Sequence, residues 1–284
     1  MGSYEKKKVL GILLLFAVSN IALFAQGPDT MVEKDSLKYQ WDKFSVSFGG
    51  FLTSVNSDIS ILGEEMGTGL SINLEEALGL SSSSLVLRGE SEYNFGTRRR
   101  SHVRFGYFFL LRNAVKTLED SLEIGDEVYQ IGTEVRSKMG MHIIRAMYDY
   151  SFYKDRRASL AISCGLYVLQ MSYSIGTDHS TDEADAFVLP LPVIGFRSAF
   201  FITPKFIIKQ NWELLYVKFQ NFQGDISDFN VCLEYYPLNH LGIGLGVNAF
   251  RYSMTATEEW RSREFAGTFK TGFTGLLLYG KYFF

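Results

Sequence analysis

From residue 44 to the last residue, apolar and polar side chains alternate with a period of two. Successive strand side chains point to opposite faces, so this pattern predicts strands with one apolar face and one polar face. Ten segments carry it: 43–55, 84–95, 99–112, 133–152, 157–173, 187–202, 205–218, 225–236, 241–253 and 267–284. The clearest is the ninth. There Leu241, Ile243, Leu245, Val247 and Ala249 alternate with Gly242, Gly244, Gly246 and Asn248. In the fourth, Ile144, Ala146, Tyr148, Tyr150 and Phe152 oppose Arg145, Met147, Asp149 and Ser151. A soluble β-sandwich also alternates. Here the apolar face runs over eight or more residues in many segments, near the length a tilted membrane strand needs. The opposite face carries charges and glycine, which suits a barrel lumen.

Connection lengths give a topology. Short turns fall at 96–98, 153–156, 203–204 and 237–239, and they alternate with longer connections at 56–83, 113–132, 174–186, 219–224 and 254–264. This fits a closed antiparallel transmembrane β-barrel of about ten strands, both ends of the chain lying on the tight-turn side. Bacterial barrels put short turns in the periplasm and long loops outside. Tyr93, Phe95, Tyr148 to Phe152, Phe206, Tyr235, Tyr282 and Phe284 all fall beside short turns or the last residue, as an interfacial aromatic belt would. A twelve-strand barrel is the alternative, if 67–73 is also a strand. Within the first long loop, Asn73 can cap a short helix, with Glu75 and Glu76 in its first turn and Gly79 as its stop.

Composition agrees. Aromatics make up 15% and charged residues 21% of the 284 residues, and mean hydropathy is +0.02. A helical membrane protein would show apolar runs of about 20 residues, whereas a barrel hides its lipid face in alternation. Residues 1–25 read as a signal peptide: Lys6, Lys7 and Lys8, then an apolar core from Val9 to Val18, then Ala22-Leu23-Phe24-Ala25 for cleavage near Ala25. Residues 26–42 read as a periplasmic N-terminal segment and 43–284 as the barrel. Removing residues 1–25 takes three Lys and one Glu away and moves the formal charge from −3 to −5, so no nucleic-acid partner is expected. Parity puts Cys164 toward lipid and Cys232 toward the lumen, so two free thiols are expected.

The last stretch, Leu276-Leu277-Leu278-Tyr279-Gly280-Lys281-Tyr282-Phe283-Phe284, places Leu278, Tyr282 and Phe284 on one face. It resembles the closing strand of Gram-negative outer-membrane β-barrels, which end in Phe with aromatic or apolar residues at alternate positions. The resemblance implies the cell outer membrane. It also implies outer-membrane lipids, periplasmic chaperones and the barrel-assembly machinery as partners, the last reading Leu278, Tyr282 and Phe284. The 43–284 pattern is also similar to uncharacterised small outer-membrane barrel families, through a first loop like Leu74-Glu75-Glu76-Ala77-Leu78-Gly79-Leu80 and a strand like Ile144-Arg145-Ala146-Met147-Tyr148. Those families carry no assigned activity.

Candidate chemistry lies in the lumen. The inward faces hold Arg88, Arg104, Arg112, Arg145, Arg197, Lys209 and Lys281, against Glu90, Glu92, Asp149, Glu213 and Glu234. Interleaved signs at this density predict a salt-bridged filling rather than a one-sign selectivity filter. Hairpin register places Glu92 near His102 or Arg104, and Arg197 near the stretch from Lys209 to Glu213. The expected function is a structural or surface role, or a narrow passive pore, with no enzymatic activity. Gly242, Gly244 and Gly246 either leave inward space or accommodate side chains from a facing strand.

The alternative is a lipid-modifying barrel enzyme, with a His and a Ser or Glu converging on the lipid-facing wall or the outer rim. His102 points inward, His142 sits near the outer rim and His240 lies at a turn. Asp178-His179-Ser180 sits in an external loop, and the acids Asp178, Asp182, Glu183 and Asp185 read as a solvated loop. No metal site, phosphate-cradling loop or cofactor motif is expected.

Overall fold

The computed structural model describes residues 41–61, 70–118, 122–124, 127–177, 180–181, 187–219, 222–256 and 267–284. The leader and most of the N-terminal segment, residues 1–40, lie outside these, as do His179 and the acidic loop residues around it.

Ten long strands form the fold: β1 (Phe44–Ile61), β2 (Ser83–Phe95), β3 (Ser101–Thr117), β4 (Glu134–Lys154), β5 (Ala158–Thr177), β6 (Phe187–Thr203), β7 (Phe206–Phe219), β8 (Phe222–Tyr235), β9 (Leu241–Ala256) and β10 (Gly267–Phe283). Each pairs antiparallel with its sequence neighbours. β10 returns to β1 over the full stretch from Ser45↔Phe283 to Ile61↔Gly267. The sheet therefore closes into a cylinder with no exposed edge among its long strands. The twelve-strand alternative is not realised. Leu70–Asn73 does form a strand, but a four-residue one that pairs only with Asp58–Ile61 at the loop end of β1.

Several ends differ from the sequence reading. β1 runs on to Ile61 and β4 to Lys154, and β8 begins at Phe222. β4 carries a bulge between Ser151 and Tyr153, and β6 carries one between Phe201 and Thr203. A bulge adds one residue and resets parity. Tyr153 is therefore exposed next to exposed Phe152, while Lys154 turns inward.

The strands are 13 to 21 residues long, whereas about 9–11 suffice to cross a bilayer at barrel tilt. The outer surface shows where the excess lies. Exposed apolar side chains run from the tight-turn end inward, for example Phe152 to Ile144 on β4 and Tyr282 to Leu276 on β10. Beyond that band the outer face turns polar, with Ser54, Asn56, Asn113, Lys138, Arg136, Lys218, Arg251, Thr274 and Lys270 exposed.

The interior inverts at about the same level. Opposite the apolar band, the inward face is charged. Opposite the polar exterior, it is apolar: Phe51, Val55, Met139, Met141, Ile143, Leu169, Met171, Phe250, Tyr252, Phe269 and Phe273 are all buried in one cluster. This is the arrangement a bilayer around the first zone and water around the second would favour, with apolar atoms kept out of water in both. The loop-side half is built like a soluble barrel with a packed core.

The short helix predicted in the first long loop forms over Leu74–Leu78 and lies on that core. The Asn73 side chain accepts from the Glu76 N–H at 3.0 Å, and Gly79 ends the helix at φ +67, in the left-handed region that glycine adopts without steric cost. Glu75 accepts from the Ser57 N–H at 2.9 Å and meets Arg112 at 2.6 Å. Leu80 is buried and Ala77 packs on the core cluster, so this helical segment lies against the loop-side core.

Candidate functional site: the charged lumen

Strand parity aims every residue of the site inward, and closure brings distant strands face to face. Arg104 on β3 donates to Asp149 on β4 through Nε at 2.6 Å and Nη2 at 2.8 Å. Its Nη2 also reaches Glu213 on β7, at 2.9 Å. Arg145 lies 2.5 Å from Glu90, 3.1 Å from Glu213 and 3.6 Å from Asp228. Arg88 pairs with Glu90 at 2.8 Å. Arg197 on β6 crosses to Glu92 on β2 at 2.6 Å and also meets Asp149 at 3.4 Å. Toward the tight turns, Glu234 takes Lys209 at 2.9 Å and Lys281 at 3.4 Å, while Lys281 also meets Asp42 at 2.7 Å.

Of the twelve charges singled out from the sequence, eight join in one ion-paired group around Arg104 and Arg145, and Lys209, Glu234 and Lys281 form a second group toward the tight turns. Arg104 and Arg145 are completely buried, each at 0% exposure. A lone buried cation would be costly, but fork-shaped guanidinium groups shared among several carboxylates satisfy both partners. Several of these contacts join strands that are not neighbours in the sheet, among them Arg104 with Glu213, Arg145 with Glu90 and Arg197 with Glu92. Such pairs are crossbars through the lumen. The hairpin register holds: Glu92 lies opposite Arg104 and 3.9 Å from His102, and Arg197 lies opposite Asn211. Their short ion pairs, however, run across the lumen rather than along the hairpins. Arg112 stands apart from both groups, on Glu75 at the wide mouth.

Sequence reasoning missed Asp228, Tyr167 and Asp42. The Tyr167 hydroxyl donates to Asp228 at 2.8 Å and also contacts Glu213. Both residues share parity with inward neighbours, Gly165 and Asn230, so the signal was present in the alternation. The three inward glycines of β9 leave no bore. Gly244 sits beneath Tyr279, whose ring carbon Cζ would lie 2.1 Å from an added Cβ, and Gly242 sits beneath Tyr236. The Tyr279 hydroxyl is fixed on Glu234 at 2.7 Å.

Two small polar cavities remain in the charged layer, of about 30 and 40 Å³, and Glu92, Arg197 and Lys209 line both. Each has room for one or two waters. Arg88 Nη1, Asn211 Oδ1 and Asn230 Nδ2 border the larger one and have no protein partner. Trp41 sits at the tight-turn end, against the β4–β5 turn and β6. Its ring meets Phe201 edge-on at 5.0 Å, its Nε1 donates to the Asp155 carbonyl at 2.9 Å, and Lys154 lies over it at 4.7 Å.

The histidines are divided. His102 is inside, between Asn94 on Nδ1 and Ser151 Oγ at 2.7 Å from Nε2, with Ser159 another 2.9 Å on. This is a His–Ser contact, but it lies in the lumen toward Trp41 and not on the lipid wall or outer rim. His142 meets the exposed Tyr107 hydroxyl at 2.7 Å, and His240 faces the Phe283 carbonyl at 3.0 Å. Cys164 is exposed and Cys232 buried, both as free thiols. At the turn beyond β4, partial burial works to raise the Asp155 pKa. The Tyr153 hydroxyl and the N–H groups of Ala158 and Arg157 outweigh it and hold the carboxyl below its usual value. Among the described residues no group of three His, Cys, Asp or Glu side chains could hold a metal ion.

No protein-family model matches the sequence, and no curated protein sequence does. In three dimensions the chain is similar to the outer membrane protease OmpT from Escherichia coli, with a TM-score of 0.54 and 10% identity over 90% of this chain and 99% of that one. Weaker likeness extends to the translocator domain of autotransporter NalP from Neisseria meningitidis, with a TM-score of 0.41 and 8% identity over 88% and 91% of the two chains. The toluene transporter TodX of P. putida gives 0.35 and 8% over 87% and 92%. At such identity the first likeness shows the fold, and the other two add no argument.

Proposed function

We propose that this protein is an exported outer-membrane barrel with a structural or surface role, and that its lumen is closed. The observation that carries the reading is the set of ion pairs reaching across the lumen, above all Arg104 with Glu213 and Arg197 with Glu92. They lie between Trp41 on one side and the packed Phe and Met layer with its helix on the other. A narrow passive pore would need these crossbars to part, and the two cavities beside them measure about 30 and 40 Å³.

The apolar outer band supports placement in a bilayer, with tight turns in the periplasm and the soluble-like half outside the cell. In this reading Ala25 precedes the cleavage point, and Leu278, Tyr282 and Phe284 are read by the assembly machinery after periplasmic chaperones deliver the chain. All three side chains face outward and are exposed, as such reading requires. The barrel has no enzymatic role in this account. The His102–Ser151 contact serves to fill and order the lumen in this reading, and the cavity beside it measures about 30 Å³. Swelling of liposomes that contain the refolded protein tests the closed lumen. No swelling in arabinose beyond protein-free liposomes is expected, and swelling at the rate of a general porin would contradict it.

A further inference from the structure

The tight-turn end of the barrel carries an unusual charge. Among the described residues, Lys43, the turn residues Arg98, Arg99 and Arg100, and the next turn's Arg156 and Arg157 supply six cations there, beside Asp42 and Asp155. Both acids are already engaged. Asp42 pairs with Lys281 at the lumen mouth, and the Asp155 carboxylate accepts from the Arg157 and Ala158 N–H groups and the Tyr153 hydroxyl. The six cations lie on one arc of the rim. The Lys154 ammonium donates to the Arg99 carbonyl at 2.6 Å, the Ser151 N–H to the Arg100 carbonyl at 2.8 Å, and the Asn94 N–H to the Lys43 carbonyl at 2.8 Å. These links tie the start of β1 and both turns together. On the opposite arc, the turns offer only Lys205 and His240.

Backbone geometry adds to the case. Arg98 and Arg99 stand at φ 57 and φ 53, in the left-handed region. A side-chain-bearing residue there is strained, and glycine or asparagine would relieve that strain. The turn nonetheless presents arginine, and Arg98, Arg156 and Arg157 are exposed. The level of the arc matters as well. The exposed aromatics Tyr93, Phe95, Tyr150 and Phe152 lie just inside it along β2 and β4, and aromatic belts sit at the lipid headgroup interface. The arc therefore lies where lipid phosphates lie.

We propose that this arc binds the phosphate groups of anionic phospholipid headgroups in the leaflet on the tight-turn side. Arginine forks match phosphate oxygens in pairs, and clustered cations beside a membrane attract anionic lipid. The interaction would fix the depth and tilt of the barrel and surround one side of it with anionic lipid. It rests on the bilayer placement proposed above, but not on the closed lumen.

The test uses the full-length mature protein refolded into bilayer nanodiscs of equal parts phosphatidylcholine and phosphatidylglycerol. Lipid that stays with the protein after mild detergent release is quantified by mass spectrometry. Severalfold enrichment of phosphatidylglycerol is expected for the wild type, falling with salt. The triple variant Arg98→Gln, Arg156→Gln, Arg157→Gln should retain the two lipids in equal amounts. Nanodiscs of phosphatidylcholine alone, scored by heat-modifiable gel mobility, show separately that both proteins insert and fold. Failure to insert in any lipid would sink the membrane placement itself. Insertion with no enrichment, or with equal enrichment in the triple variant, would overturn the lipid site. Enrichment abolished by excess inorganic phosphate would also overturn it, by making the arc a site for the free anion.

Discussion

Arg145 shows what a single side chain does in this barrel. It is fully buried, shares Glu90, Glu213 and Asp228, and lies over the Phe108 ring at 5.4 Å. Removing it takes the shared cation from three buried carboxylates, of which Glu90 keeps Arg88, Glu213 keeps Arg104, and Asp228 keeps only hydrogen bonds such as that from Tyr167. Breaking a buried pair from one side costs about 3–5 kcal/mol, so Arg145→Met should destabilise the barrel by that order in guanidinium titrations of protein folded into lipid vesicles. A loss below about 1 kcal/mol would mean that water already screens the network. The inward aim of Arg145 was legible from Ile144 and Ala146 on either side of it. Its partners were not. Glu213 lies three strands away around the wall, and only the stagger and closure of the cylinder bring it into reach. The inward aim of Tyr167 was legible from its parity with Gly165, but its role as donor to Asp228 was not, because that partner lies on β8 across the lumen.

At the scale of the strand, the alternation made both the strands and their faces readable, because lipid on one side and lumen on the other punish any slip of register. β9 is the sharpest case. Leu245 is 58% exposed on the outside, and its neighbours Gly244 and Gly246 face in. Arg in place of Leu245 should cost about 2–4 kcal/mol at mid-membrane, measured by reversible unfolding in vesicles. A near-zero change would contradict the assigned face. Strand ends were less legible. The loop-side halves of β4 and β5 are apolar on the inner face and polar on the outer, so the parity rule that holds in the membrane reverses its meaning there. The helix at Leu74–Leu78 was visible because its signals are local: Asn73, Glu75 and Gly79 act within one turn. That it would place Glu75 on Arg112 was not, since the contact depends on where the mouth closes.

Taken whole, the described residues form three stacked layers: a turn end with Trp41 and an arc of cations, an ion-paired layer behind the apolar outer band, and an apolar core in the loop-side half under a short helix. The number of long strands followed from counting turns, and the apolar band followed from the belt of aromatics beside them. The inversion of the interior did not, because it depends on how far each strand rises beyond the bilayer. In the proposed reading all three layers obstruct the axis, so the account stands on a closed lumen. Single-channel recording in planar bilayers reaches that claim most directly. Refolded protein inserted into the bilayer should give no stepwise current at either polarity, and reproducible steps that scale with protein added would contradict it.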